Sequence, residues 1–211
     1  MHRIESDTVN PFFRLQRDAL LGLQRLVVGG AAFYDVRPTH PCVFFANHTS
    51  HLDTTGLLAA IPPTMRDRTR PVAGADYWDK TALRRYIAHT LLNVVLVDRE
   101  KGGADALLPL KAALDQNDSL IVFPEGTRRD TTLPGEFKSG LYHLSKDRPT
   151  LALVPVYQQN LHRALPKGAP FPLPLLCRSH FGAPLYNDRG EDKDTFIARM
   201  HQAVCDLADT F

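Results

Sequence analysis

The segment NHTSHLD, at residues 47–53, contains side chains that can take up and hold a proton. His48 can act as a general base near neutral pH, because the pKa of free imidazole is about 6.5. Asp53 follows five residues later, where its carboxylate can reach back to the imidazole, fix its tautomer and stabilise the imidazolium. Asn47 suits the cap of a helix that starts here. A His and an Asp at this spacing also occur by chance, so their surroundings decide their meaning.

A second segment, FPEGTRRD at residues 123–130, places charged side chains in a tight turn. Pro124 and Gly126 favour a non-helical turn, which presents Glu125, Thr127 and Arg128 to a common site. Arginine suits phosphate, because its guanidinium offers paired donors and stays charged. The alternative is an ordinary solvated loop with surface charges.

A third segment, VDRE at residues 97–100, supplies another arginine. Arg99 follows an apolar stretch and would stand at the same sheet edge as Arg128. With Lys138 further along the chain, the two arginines form a candidate basic pocket for one phosphate. A single Arg after a strand is otherwise usually turned to solvent.

Each of the three segments follows a short apolar run typical of a buried strand. Further strands are predicted at 151–157 and 175–181, and helices at 11–33, 77–89, 104–116, 138–147 and 191–211, with LLAAI also helical. This alternation predicts an α/β fold: a single layered domain with a largely parallel central sheet flanked by helices. The carboxyl ends of such strands are the usual place for an active site.

The helical pattern at 11–33, for which Gly29-Gly30 provides an end, is predicted to be amphipathic. One face carries six apolar residues (Phe12, Leu15, Ala19, Leu23, Leu26 and Val27), and Arg14, Arg17, Gln24 and Arg25 lie off it. The apolar face can lie in a lipid interface or pack on the core, and the sequence leaves both open. We divide the chain into an N-terminal segment, 1–35, and a main domain, 36–211.

Composition narrows the class of protein. No run of about 18 apolar residues exists and the N-terminus lacks a signal peptide, so we expect no ordinary membrane-spanning helix; if the protein works on lipid, it must lie on the membrane rather than cross it. A net charge of +2 excludes a dedicated nucleic-acid binder. The three cysteines, Cys42, Cys177 and Cys205, indicate reduced thiols rather than disulfides or a zinc site.

The blocks NHTSHLD, VDR, FPEGTR and VPV, in this order and spacing, resemble the four blocks of the glycerolipid acyltransferase family, which includes the lysophosphatidic acid acyltransferases. The resemblance covers roughly residues 40–185. It implies His48 as the base and Asp53 as its orienting partner. It also implies acceptor binding by Arg99, Glu125, Gly126, Thr127 and Arg128, whereas Val154-Pro155-Val156 is more structural.

The resemblance implies transfer of a fatty acyl group from acyl-CoA or acyl carrier protein to a hydroxyl of a lysophospholipid such as 1-acylglycerol-3-phosphate. No cofactor is implied, since the thioester is a substrate. The expected partners are the acceptor, the donor and a membrane surface, with no nucleic acid. The expected location is the inner face of the cytoplasmic membrane. Asn93 and Arg129 depart from the family, which often has Gly and Ser there.

Three alternatives remain. Ser50 and Cys42 are nearby nucleophiles, but the chain has no GxSxG elbow, which favours direct transfer over an acyl-enzyme. A metal-dependent hydrolase would use His48, His51 and Asp53 as ligands, although His51 suits a helix surface. A non-catalytic lipid-binding module would keep the fold without needing the His48–Asp53 pair.

Overall fold

The computed structural model describes residues 10–98, 103–165, 173–188 and 190–210. The strands described are β1 (Ala31–Tyr34), β2 (Cys42–Ala46), β3 (Thr69–Gly74), β4 (Val95–Val97), β5 (Ser119–Val122), β6 (Ala152–Gln159) and β7 (Arg178–Phe181). They form one sheet with the order β1-β7-β6-β2-β5-β3-β4, in which only the β6–β7 pairing is antiparallel. The predicted α/β fold with a largely parallel sheet is confirmed.

The helices of the described chain are α1 (Pro11–Val28), α2 (Asp53–Ala60), α3 (Pro63–Arg66), α4 (Ala75–Trp78), α5 (Ala82–Arg85), α6 (Leu108–Asp115), α7 (Gly140–Lys146), α8 (Leu161–Ala164) and α9 (Lys193–Ala208). A π-helical turn, Tyr86–Leu91, continues α5, and a 3₁₀ turn, Asp105–Leu107, precedes α6. Pro109 lies in the first turn of α6, where its missing N–H costs no helical bond.

Alternating side chains of β2 build the core on both faces of the sheet. Val43 and Phe45 pack in one cluster with α6, α7 and α9, whose Leu110, Leu141 and Phe196 are buried there. Cys42, Phe44 and Ala46 pack in the opposite cluster, with Leu21 of α1 and Leu57 of α2 among others. A strand buried on both faces explains the continuous apolar run CVFFA. The sheet is therefore a rigid platform for the loops that leave its carboxyl edge.

Two strands differ from the predicted elements. α1 ends at Gly29 as predicted, but residues 31–34, the end of the helical pattern at 11–33, form β1 and pair with β7. β3 was not predicted, because its sequence, TRPVAG, has too few apolar residues to indicate a buried strand. Pro71 is tolerated because β3 changes partner next to it: Thr69–Pro71 pairs with β5, and Val72–Gly74 with β4. The helix predicted at 77–89 is broken into α4, α5 and the π-helical turn.

Helix α1 turns its apolar stripe away from the body of the protein. Phe12, Leu15, Leu23 and Leu26 are 59–83% exposed, whereas Arg17 is buried to 6% exposure. The Arg17 guanidinium lies 2.7 Å from Asp67, and Leu21 and Val28 supply the apolar contacts. The sequence left two interpretations of this stripe open, contact with lipid and packing on the core. These four side chains do not pack on the core.

Candidate active site

The candidate site lies at the carboxyl edge of the parallel strands. The loop after β2 carries His48, the loop after β5 carries residues 123–130, and the loop after β4 begins at Asp98. Because β2, β5 and β4 run in the same direction, these loops emerge at one edge. Arg99 lies outside the described residues, so its predicted place beside Arg128 stays a prediction.

His48 and Asp53 form a direct hydrogen-bonded pair. The Nδ1 atom of His48 lies 2.8 Å from Oδ2 of Asp53, the first residue of α2. The same oxygen accepts the backbone N–H groups of Thr49 at 2.6 Å and Ser50 at 2.8 Å. An ionised carboxylate can only accept a hydrogen bond, so in the neutral imidazole Nδ1 carries the proton and Nε2 keeps its lone pair.

The surroundings of this pair favour catalysis over a purely structural role. The Asp53 side chain is fully buried, whereas that of His48 is 21% exposed, so the imidazole reaches solvent and its partner does not. Phe123 stacks on the imidazole with ring centroids 4.3 Å apart and an interplanar angle of 18°. The position of Asp53 in the first turn of α2 also suits a negative charge. The ring is therefore fixed in orientation while one edge stays open.

Asn47 and Gln158 hold the base of the loop after β2. This contact was not predicted from the sequence. The Asn47 side chain donates to the backbone O of Gln158 at 3.1 Å and accepts its N–H at 2.8 Å, so it extends the β2–β6 pairing instead of capping a helix. The Gln158 side chain donates to the backbone O of Asp53 at 3.0 Å. The polar end of β6, Gln158-Gln159, was the available signal. Both contacts fix the start of α2 relative to the sheet.

The turn after β5 brings the predicted acceptor-binding residues to the same edge. Gly126 has a φ of +71°, a left-handed conformation that strains other residues, and Nζ of Lys138 lies 2.8 Å from where a Cβ would be. Thr127, Arg128 and Lys138 are exposed, and within the described parts of the chain neither Arg128 nor Lys138 has an ion-pair partner. Two cations therefore remain available to an anion beside the His48 loop.

Glu125 has a different environment. Its side chain is only 1% exposed, and both carboxylate oxygens accept backbone N–H groups, from His48 at 2.8 Å and Gly135 at 2.9 Å. The resemblance places Glu125 with the acceptor-binding residues, but its oxygens are directed at the protein.

His51 lies next to the pair without joining it. Its ring centroid lies 6.4 Å from that of Tyr77. Burial lowers the pKa of His51, and the nearby charges of Arg128, His48 and Arg84 lower it further. In the segments that the structure describes, no group of three or more His, Cys, Asp or Glu side chains is arranged to hold a metal ion.

The other nucleophile candidates are held in structural roles. Ser50 is buried, and its hydroxyl accepts the N–H of Leu52 at 3.3 Å. Cys42 is fully buried in β2, where burial raises its pKa to about 12, so almost no thiolate forms near neutral pH. All three cysteines are free thiols.

Fold and site together define an α/β protein that carries a histidine–carboxylate pair, with cations beside it, at the carboxyl edge of its sheet. Comparison with known proteins is consistent with this class. Residues 32–159 match the model of the Acyltransferase family, which is more than half of the chain. The chain belongs to the acyltransferase family.

Individual relatives carry more specific names. The mouse protein "1-acyl-sn-glycerol-3-phosphate acyltransferase alpha" is 33% identical over 126 residues, which is 57% of this chain and 41% of that protein. Its human counterpart is 32% identical over the same length. This chain matches about two fifths of the length of these relatives.

A solved structure shares the fold. The 1-acyl-sn-glycerophosphate (LPA) acyltransferase PlsC from Thermotoga maritima superimposes with a TM-score of 0.69 and 18% identity, covering 92% of this chain and 80% of that one. In the described chain, no helix is both long and apolar enough to cross a membrane.

Proposed function

We propose that this protein transfers a fatty acyl group from an acyl thioester, acyl-CoA or acyl carrier protein, to the free hydroxyl of a lysophospholipid such as 1-acylglycerol-3-phosphate. The observation that carries the proposal is the His48–Asp53 pair, in which Nδ1 is held at 2.8 Å and the imidazole is 21% exposed at the sheet edge. The names of the relatives supply the substrate class.

In this reaction His48 Nε2 takes the proton of the acceptor hydroxyl as the oxygen attacks the thioester carbonyl. The carbon–sulfur bond breaks when the tetrahedral intermediate collapses, and the imidazolium returns the proton to the leaving thiolate. The products are an ester and a free thiol. Asp53 stabilises the transient imidazolium, and no cofactor is needed because the thioester already activates the acyl group.

The acceptor phosphate is proposed to bind at the turn after β5. Arg128 and Lys138 supply charge and donors, Thr127 a hydroxyl, and Gly126 allows close approach of the backbone. Arg99 is proposed to add a further guanidinium. Holding the phosphate there would place the free hydroxyl near His48, which converts an encounter in solution into a positioned reaction.

We further propose that the protein works on the surface of a membrane, at the inner face of the cytoplasmic membrane. The exposed apolar stripe of α1 supports this, since Arg25 on the same helix is also exposed and suits anionic headgroups. Three free thiols suit a reducing compartment.

An acyl-transfer assay across a panel of lysophospholipids, each with acyl-CoA and with acyl carrier protein as donor, tests the proposal. We expect release of free thiol in step with formation of the diacyl product for at least one acceptor that carries a phosphate. Hydrolysis of the thioester at the same rate with and without acceptor would contradict acyl transfer. Turnover that needs added zinc or manganese would instead support the metal-dependent hydrolase.

A further inference from the structure

The Glu125 carboxylate is buried although it lies in a turn whose next residues, Thr127 and Arg128, are exposed. A buried carboxylate is costly unless its oxygens are hydrogen-bonded. Its burial therefore indicates that the Glu125 carboxylate binds other parts of the protein.

Each oxygen of Glu125 has its own partner from a different part of the chain. Oε1 accepts the backbone N–H of His48 at 2.8 Å, and Oε2 accepts that of Gly135 at 2.9 Å. Nε of Arg129 lies 3.5 Å from Oε2 and supplies a compensating charge. The carboxylate thus joins the loop after β2 to the segment that precedes Lys138.

The backbone of His48 is held from both sides by this turn. Its N–H donates to Glu125, and its C=O accepts the N–H of Arg129 at 2.9 Å. Asp53 and Phe123 hold only the ring. The position of the imidazole relative to the acceptor site consequently depends on Glu125 as well as on Asp53.

The Arg129 side chain packs directly over Gly135. A Cβ on Gly135 would lie 2.1 Å from Nε of Arg129, so the guanidinium occupies the space that any side chain at residue 135 would need. The environment of Glu125 is therefore built by a coupled pair of residues, Arg129 and Gly135.

We propose that Glu125 is a positioning residue for His48 and that Arg129, packed against Gly135, secures its carboxylate. The inference rests on the proposed acyl transfer. It gives Glu125 a role in placing the base, distinct from contact with the acceptor.

Glu125→Gln is the first test, because glutamine keeps the shape but has only one oxygen to accept an N–H. We expect kcat to fall about tenfold to a hundredfold, since a small misplacement of a reacting group has effects of this size. The KM for the acceptor should stay within about twofold of the wild-type value. Glu136→Gln, an exposed carboxylate in the same segment, is the matched control and should leave both constants unchanged.

The separate effects on kcat and on KM distinguish positioning of His48 from contact with the acceptor. A raised acceptor KM with an unchanged kcat would show contact with the acceptor and overturn the inference, while the proposed function would stand. Wild-type protein that transfers no acyl group to any acceptor would overturn the proposed function, and the inference with it.

A second pair of variants leaves the carboxylate in place, which keeps the test valid if Glu125→Gln does not fold. Gly135→Ala places a methyl group where the Arg129 guanidinium lies, and should lower kcat about tenfold through the same misplacement. Arg129→Ser alone should lower kcat by less, about threefold, because both N–H donors to the carboxylate remain. Adding Arg129→Ser to Gly135→Ala frees that space, so kcat should recover to this level. Full activity of Gly135→Ala, or no recovery in the double variant, would overturn the coupling.

Discussion

The His48 imidazole is held by contacts that, among the described residues, leave Nε2 without a hydrogen-bond partner. Asp53 binds Nδ1, Phe123 covers one ring face, and the turn after β5 holds the backbone. A general base needs this combination, because it must keep one tautomer and orientation while it exchanges a proton with substrate. The unpartnered buried Oδ1 of Asp53 is one polar atom that this arrangement leaves unsatisfied.

Replacing either member of the pair should abolish most of the turnover. We expect His48→Ala and Asp53→Asn each to lower kcat about 10²–10⁴-fold, the range for general base assistance. The double variant should be little worse than His48→Ala, because Asp53 acts through the imidazole. Single-turnover kinetics of the three variants, with circular dichroism to verify folding, measure this. Independent, multiplying losses would contradict a shared role.

The pKa of His51 should report the charge of Arg128. Burial is the main reason that this pKa is low, and the Arg128 charge is the next. In Arg128→Gln the imidazolium is repelled less, so the His51 pKa should rise toward its ordinary value. NMR titration of the His51 ring protons measures the shift. Arg37→Gln, at the opposite edge of the sheet, should leave it unchanged; a fall in Arg128→Gln would contradict the proximity.

At the scale of elements, α1 is attached to the body by the buried Leu21 and Val28 and by polar contacts. Arg17 and Arg14 both bind Asp67, at 2.7 and 2.8 Å, and Gln24 donates to the backbone O of Leu52 in the loop that leads into α2. These contacts turn the apolar stripe outward. They also join the proposed membrane-binding helix directly to the active-site loop.

The exposed stripe predicts weakened membrane binding when it is made acidic. Leu23→Glu should reduce sedimentation with anionic lipid vesicles about tenfold or more, since insertion of one leucine contributes about 1.5–3 kcal/mol. The melting temperature should stay unchanged, because Leu23 is 59% exposed. Leu173→Glu, a similarly exposed leucine outside α1, is the control. Equal binding by wild type and Leu23→Glu would contradict the role of α1.

At the scale of the whole molecule, both faces of the sheet are covered and β2 is fully enclosed. All five residues of β2 have 0% exposure, and Cys42 is the first of them. A thiol at this position is inaccessible to reagents until the sheet opens. The reactivity of Cys42 is thus a probe of global unfolding.

Cys42 should resist alkylation in the native state. Burial raises its pKa to about 12, and thiolate formation and access both require unfolding. Labelling with iodoacetamide at increasing urea, read by mass spectrometry, should follow the unfolding transition seen by circular dichroism. Cys205, which is partly exposed, is the internal comparison and should label first. Native-state labelling of Cys42 as fast as that of Cys205 would contradict the enclosed core.

The sequence alone determined the reacting residue types, their order and the strands that carry them. NHTSHLD and FPEGTR could be assigned to one sheet edge because buried apolar runs precede them and parallel strands share an edge. The local sequence pattern does not predict a strand that has few apolar residues, such as β3. It also does not separate two elements that follow each other without a polar break, such as α1 and β1.

Only the tertiary structure decided where the side chains point and what they bind. It directs Glu125 to the backbone of His48, Asn47 to Gln158, and Arg17 inward while the leucines of α1 face out. These contacts join residues up to 111 positions apart in the chain. Spacing along one segment fixes which chemistry is present, but the register between distant strands fixes which groups meet.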